Sequence, residues 1–408
     1  MFTPIIKSLL DTDLYKYTMQ QVVLHQFPAT TAEYAFKCRN TPQYPLSELK
    51  TDLIEQLEYL CTLRFTPAEL DYLRSLYFMK SDFVDYLENF QLKGKHILVT
   101  EVGDTLDIRV PAGTPMLAGM PFEIFTLGIV NELYFRRFAT EEVMAEGERR
   151  LTAKINYVRE YMDRPDNRCA NPFEFFDFGT RRRFSRTWHE HVVRRLQREL
   201  GTYFKGTSNV DLARRFGLTP IGSMAHEFLQ SFQAAPHVRL RDFQRAALEA
   251  WVAEYRGDLD IALTDVVGMD AFFHDFDRYF AKLFDGLRHD SGDPYLWGEK
   301  AIARYRELRV NPSDKRLVFS DGLKVDSALR LYSSFADRIS TGFGIGTNLT
   351  NDLGPEPLQI VMKMVSSNGL PVAKLSDSPG KTMSTDDGYI RYLESVFHAA
   401  RLPMAFNS

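Results

Sequence analysis

Carboxylates close several apolar segments of this chain, where an unpaired charge is costly. Asp265 ends one such segment and Asp290 another, the latter within Arg288-His289-Asp290-Ser291-Gly292-Asp293. Such groups either pair with cations or hold a metal such as Mg²⁺, which prefers oxygen ligands. Asp290 and Asp293 flank Ser-Gly, so both can face one region. Arg288 can grip a carboxylate or phosphate through two parallel hydrogen bonds. A structural ion-pair network accounts for the same residues without a ligand. His226 follows Ala225 at the end of a further segment. Its imidazole either fills a core position or serves as acid, base, metal ligand or phosphate acceptor.

Anion chemistry has its own residues. Arg181, Arg182 and Arg183 stand at what reads as a helix start, where the macrodipole disfavours each cation by about 0.3–1 kcal/mol. They form either a solvated helix start or an anion site that offsets the repulsion, with Arg181 the inward contact. Thr207, Ser208 and Asn209 follow Lys205-Gly206 and suit either a helix cap or a ligand contact. Gly322 ends Ser320-Asp321-Gly322, and Gly342-Phe343-Gly344-Ile345-Gly346-Thr347-Asn348 ends the segment after it. Exposed backbone N–H groups there, before a helix, make a phosphate cradle. The chain contains no Walker A loop, HExxH pair or GxSxG elbow, which points away from zinc and serine hydrolysis.

The elements that must position these residues alternate from about residue 141 onward. Short apolar segments at 174–180, 203–209, 219–226, 258–265, 283–290, 315–321 and 338–346 are separated by amphipathic helical patterns, among them 184–200, 241–256, 297–308 and 325–335. This rhythm predicts a parallel sheet covered by helices. Seven segments do not close a regular eightfold barrel, so an irregular (β/α) barrel is expected, with a doubly wound sheet as the alternative; in both, chemistry sits at the carboxyl ends of the strands. Residues 1–140 are mixed. Helices are expected at 14–27, 49–60 and 68–76, and strands at 32–38, 96–101, 105–110 and 115–118. The organisation expected is an α+β lobe over 1–140, joined by the tail 355–408, beside a barrel over 141–354.

Of the 408 residues, 44% are hydrophobic and 25% charged, a globular mix. The net charge of -4 disfavours tracking of a nucleic-acid backbone. Three scattered cysteines, Cys38, Cys61 and Cys169, suit reduced thiols in a cytoplasm. The apolar stretch 110–122 contains three prolines and is too short to span a bilayer. Two anion sites, several acids and a cleft histidine together suggest phosphoryl or phosphoribosyl transfer. A glycosidase would explain Asp265 and Asp290 as a carboxylate pair but not the arginines or glycines, and a non-catalytic binding barrel would explain none of these charges.

These residues carry a resemblance. The motifs Leu10-Asp11-Thr12-Asp13-Leu14-Tyr15-Lys16, Asp177 through Ser185, Gly206-Thr207-Ser208-Asn209, Ala225-His226-Glu227, Gly286 through Pro294, Phe343 through Thr347, and Lys374 through Lys381 closely resemble those of the bacterial nicotinate phosphoribosyltransferase family over nearly the whole chain. The resemblance implies an irregular α/β barrel with an added lobe, and a homodimer with active sites at the subunit interface. The implied substrates are nicotinate, phosphoribosyl pyrophosphate and ATP, with Mg²⁺, and the implied product is nicotinate mononucleotide for NAD salvage. By resemblance, Phe178 and Tyr15 of the partner subunit sandwich the pyridine ring. Arg288, helped by Thr207, holds the carboxylate, and Arg39 and Arg181 contact the phosphoribosyl pyrophosphate. Gly322, Gly344, Gly346 and Thr347 cradle the 5′-phosphate, while Asp290 orients ribose hydroxyls or Mg²⁺. His226 becomes a phosphohistidine oriented by Asp265, with Glu227 pointing elsewhere. Lys374, Ser376 and Lys381 fall in the tail motif without separate roles. A nicotinamide-using relative is the nearest alternative.

Overall fold

Apolar side chains recur at every second position along residues 31–38, with Ala32, Tyr34 and Phe36 buried, and a strand is what places them on one face. In the computed structural model, which describes residues 2–378, 382, 384 and 386–398, this strand β1 (Thr31–Cys38) lies inside an antiparallel sheet. Its companions are β2 (Leu98–Val102), β3 (Thr105–Pro115), β11 (Ile360–Ser367) and β12 (Leu370–Pro371), in the order β12-β11-β1-β3-β2. The tail strand β11 thus pairs directly with β1, Ala35 opposite Lys363. The expected strand at 115–118 does not form. Strand β3 runs on to Pro115, and Met116–Gly119 then makes a helical turn; proline has no N–H to extend the ladder.

The helix Phe122–Phe135 has no counterpart in the sequence reading. Nearly all of its residues are buried, so it lacks the polar face that reveals a surface helix. The longer stretch Met116–Phe138 is long and apolar enough to cross a membrane, but 89% of that window is buried within the fold. It is a core helix.

Seven strands form a second, parallel sheet: β4 (Phe175–Asp177), β5 (Phe204–Thr207), β6 (Thr219–Pro220), β7 (Ile261–Leu263), β8 (Gly286–His289), β9 (Arg316–Phe319) and β10 (Ser340–Ile345). Their order is β6-β5-β4-β10-β9-β8-β7. This is chain order wrapped in a ring, with β6 and β7 as the two unpaired ends. Ser223, just past β6, donates to the Ile261 carbonyl of β7 at 3.1 Å, so the two ends meet and the sheet curls. A flat doubly wound sheet would hold them apart. The helices follow the predicted stripes: Arg186–Leu200 begins at Ser185, whose Oγ accepts from Trp188 N at 3.1 Å. Val325–Phe335 has the predicted bounds. Phe243–Tyr255 stops at Arg256, which itself takes the left-handed conformation (φ 53°) one residue before Gly257.

Candidate active site

The carboxyl ends of the parallel strands carry the polar cluster. Asp265 lies just beyond β7 and is buried. Its Oδ1 faces His226 Nε2 at 2.7 Å, and its Oδ2 accepts from Ser291 Oγ at 2.5 Å and meets Lys374 Nζ at 2.5 Å. Burial opposes the Asp265 charge, but Lys374 and His226 outweigh it and hold the carboxyl well below the usual carboxylate range. His226 does not end a strand as expected. Strand β6 stops at Pro220, and His226 is the first residue of the helix His226–Ser231. With Nε2 turned to Asp265, Nδ1 is the nitrogen left for a ligand. Burial first, then Lys374, pulls its pKa below the ordinary 6.5, so the imidazole is neutral at pH 7.

Arg288, in β8, is aimed by three neighbours: Nε donates to Ser320 Oγ at 2.8 Å, Nη1 to the Met224 carbonyl at 3.4 Å, and Nη2 to Asp290 Oδ1 at 3.5 Å. Asp290 Oδ2 stands 3.7 Å from His226 and 3.8 Å from Lys374. Burial works against its charge, yet Arg288 and Lys374 hold the carboxyl below its ordinary value. Asp293 does not join this group; it caps the helix Pro294–Glu307 by accepting from Leu296 N at 2.8 Å. The Arg288 guanidinium sits 5.8 Å from the centre of the Phe178 ring. That ring rests on Gly344, where an added Cβ would lie 2.2 Å from ring atoms. Gly344 therefore seats Phe178. Gly344→Ala is expected to displace the ring and lower turnover at least about 10-fold, since overpacking costs ~1–3 kcal/mol; steady-state kinetics on the folded variant checks this.

The opposite wall comes from the other sheet and the core helix. Glu123 of Phe122–Phe135 takes Lys16 Nζ at 2.7 Å and Arg181 Nη1 at 3.6 Å. Lys16 also pairs with Glu227, which accepts from Tyr34 OH at 2.5 Å. Glu227 thus lines the same cavity as His226: in a helix, unlike a strand, successive side chains do not alternate between opposite faces. Lys363 of β11 also lines it, and burial pulls its ammonium down to about 8.

Two sets of motif residues act from behind the cavity. Arg183 grips Asp11 bidentately at 2.6 and 2.8 Å, and Asn209 Nδ2 donates to Asp11 at 2.8 Å. Asp177 accepts from Thr207 Oγ1 at 2.6 Å and faces His189 Nε2 at 2.6 Å. Thr207 is fully buried with its hydroxyl on Asp177, while its neighbour Ser208 lines the cavity.

Three spaces converge here. The first, between the two sheets, is lined by Tyr15, Phe178, Arg181, His226, Arg288 and Asp290, with others. The second shares Phe178, Arg181, Arg288 and Asp290 and continues to Gly322, Gly346 and Thr347. The third shares Phe178 and Arg288 and runs past Ser223 and Ile261 at the β6–β7 seam. Tyr15 of the chain's own first helix, Tyr15–Gln26, lines the first of these spaces. The arginine run is no solvated helix start: Arg181 enters the cavity, Arg182 lines the second space, and Arg183 is buried on Asp11. Burial, Arg181 and Arg39 all disfavour the Arg182 charge, a crowding that a bound anion relieves. Arg39, at the end of β1, is half-buried, with Arg181 and Asp321 the charges bearing on it. Ser376 accepts from Ser378 N at 3.2 Å; Lys381 lies outside the described residues.

Glu123, Lys16, Tyr34 and Lys363 were not singled out from sequence. Glu123 and Lys363 share a signal that could have found them: each is a lone charge inside an apolar run.

Comparison with known proteins matches this geometry to a family. The nicotinate phosphoribosyltransferase N-terminal domain model matches residues 10–131, and the nicotinate phosphoribosyltransferase family model matches residues 173–401. The chain belongs to the nicotinate phosphoribosyltransferase family. A nicotinate phosphoribosyltransferase of Chromobacterium violaceum is 63% identical over 400 residues, covering 98% of this chain and 99% of that protein. One of Herminiimonas arsenicoxydans is 60% identical, covering 97% and 98%. The crystal structure of the nicotinate phosphoribosyltransferase from Vibrio cholerae matches with a TM-score of 0.91 at 36% identity, over 97% of this chain and 94% of that one. Among the motifs of this nicotinate phosphoribosyltransferase family chain, the cavity draws on Tyr15, Phe178, His226, Arg288 and Asp290.

Proposed function

We propose that this site joins nicotinate to phosphoribosyl pyrophosphate, giving nicotinate mononucleotide and pyrophosphate, with ATP hydrolysis coupled through a phosphohistidine at His226. The supporting observation is the sharing of Phe178, Arg181, Arg288 and Asp290 between an aromatic cavity and a glycine-lined cleft. A flat acid and a sugar phosphate bound in the two spaces would meet there. The pyridine nitrogen forms a bond to C1 of the ribose as the C1–O bond breaks and its electron pair leaves with pyrophosphate. Positioning and electrostatics do most of the work in such a step.

In this reading Phe178 and Tyr15 face the pyridine ring, and Arg288 holds the carboxylate. Gly322, Gly346 and Thr347 take the 5′-phosphate, and Arg181 with Arg39 supplies positive charge to the sugar diphosphate. His226 Nδ1 attacks the γ-phosphorus of ATP, the bond to ADP breaks, and later hydrolysis of the phosphohistidine frees phosphate. Asp265 holds the Nε2 proton. Asp290 and Asp265 offer oxygen atoms within 4.8 Å of each other and of a His226 nitrogen, but Asp265 is fully engaged, so Asp290 is the carboxylate that fits the Mg²⁺ accompanying both polyphosphates. The ion supplies charge neutralisation when bound.

The fold reading that goes with this is an irregular barrel open at the β6–β7 seam over 141–354, covered by a lobe of residues 1–140 and the tail from 355. Three unpaired cysteines support a reducing, cytoplasmic setting. A homodimer is tested by sedimentation. Because His226 is neutral, phosphorylation is expected to persist as the pH falls below 6.5, with its half-maximal rate at a more acid value. Alkali-quenched labelling from γ-labelled ATP across pH 5–8 measures this; a midpoint at or above 6.5 contradicts it.

A further inference from the structure

Behind the His226–Asp265 pair stands a hydroxyl whose proton is aimed by the backbone. Ser291, just past β8, is buried. Its Oγ accepts from Asp377 N at 3.0 Å and donates to Asp265 Oδ2 at 2.5 Å. A hydroxyl has one proton and an N–H only donates, so the contact from Asp377 leaves that proton for Asp265. The other carboxylate oxygen, Oδ1, faces His226 Nε2 at 2.7 Å. The turn after Ser291 brings the tail within reach. Gly292 takes φ 83°, and a Cβ there would stand 3.1 Å from Asp377 Cβ, a conformation and a closeness that suit glycine. Gly292 N also donates to Ser378 Oγ at 2.9 Å, a second tie between this turn and the tail.

Asp265 Oδ2 has a second donor, Lys374 at 2.5 Å, but the two donors are unlike. Lys374 is a cation on a flexible stem and stands 3.8 Å from Asp290 as well, so an incoming polyphosphate competes for it. Ser291 is neutral, short and held by the tail backbone, so it stays. We infer that Ser291 is a positioning residue for phosphoryl transfer to His226: its hydroxyl fixes Asp265 so that Oδ1 holds the Nε2 proton and the Nδ1 lone pair is kept for ATP. This rests on the phosphohistidine reading above and adds a residue to it. In the step, the Nδ1 lone pair forms the N–P bond while the P–O bond to ADP breaks and its electron pair leaves with ADP. The ring becomes cationic with its proton still on Nε2, beside the Asp265 carboxylate. Without the Ser291 hydroxyl the carboxylate turns toward Lys374, and the ring proton is no longer confined to Nε2; on Nδ1 it blocks attack.

Rapid-quench measurement of phosphohistidine formed from γ-labelled ATP on the whole protein tests this. At saturating ATP, Ser291→Ala is expected to slow phosphohistidine formation about 10- to 100-fold, the worth of a hydrogen bond to a charged group. The ATP concentration giving half the maximal rate should change by less than about 3-fold, whereas a distorted site would raise it. Ser291→Cys nearly keeps the side-chain volume but offers only a weak donor, so it should lose nearly as much. Phosphohistidine formed at the wild-type rate in folded Ser291→Ala or Ser291→Cys overturns the inference, as does a loss confined to the half-maximal ATP concentration. A wild-type protein that takes no phosphate at His226 overturns the phosphohistidine reading itself. Nitrogen-15 NMR of the histidine-labelled wild type removes any dependence on a variant's folding: the His226 proton should sit on Nε2, and a proton found on Nδ1 instead counts against the inference.

Discussion

His226→Ala is expected to abolish ATP hydrolysis while some ATP-independent synthesis of nicotinate mononucleotide persists. The imidazole is the nucleophile toward ATP in this account, and losing a nucleophile commonly costs ~10³-fold or more. The synthetic step uses the pyridine nitrogen instead, so it survives wherever the substrates still bind. Asp265 stays paired with Lys374 at 2.5 Å in the variant, which keeps the pocket from gaining an orphaned carboxylate. The check is parallel: phosphate release and mononucleotide formation, each with and without ATP. Acid-labile phosphate retained on the variant at wild-type level would place the phosphoryl group elsewhere.

The second large effect concerns acid recognition. Arg288→Ala should weaken nicotinate binding by about 30- to 5000-fold, because truncating one member of a buried charged pair costs ~2–5 kcal/mol. Ser320, the Met224 carbonyl and Asp290 together fix the guanidinium, so its loss removes an oriented charge beside the Phe178 ring. The effect should be larger for nicotinate than for nicotinamide, which lacks the carboxylate. Competition between the two in one calorimetric series measures it, and unchanged nicotinate affinity would remove Arg288 from this role.

Much of this site was legible because its residues lie at the ends of strands or in short motifs. Asp265, Arg288 and Asp290 follow apolar segments that cannot bury a lone charge, and the glycines after β9 and β10 announce an unusual backbone. What escaped depends on contacts between distant parts of the chain. Glu123 sits in a helix buried on all sides, which carries no periodic signal. Lys363 reaches the cavity only because β11 returns to pair with β1. Thr207 and Gly344 belong to the right motifs, yet one hydroxyl is consumed by Asp177 and one glycine is needed beneath Phe178. A motif marks a neighbourhood; which of its members face the ligand is decided by packing. His226 was misplaced on a strand because residues 219–226 read as one segment rich in apolar residues, whereas the strand ends at Pro220, where proline can no longer donate to a ladder.

The central claim is that the aromatic cavity and the glycine-lined cleft act on one pair of substrates across Phe178 and Arg288. Product analysis by chromatography after mixing the protein with nicotinate, phosphoribosyl pyrophosphate and Mg²⁺, with and without ATP, tests it most directly. The account predicts nicotinate mononucleotide and pyrophosphate in equal amounts, with yield raised by ATP as ADP and phosphate accumulate. Consumption of phosphoribosyl pyrophosphate to free ribose phosphate with no mononucleotide, or no reaction at all, would contradict it.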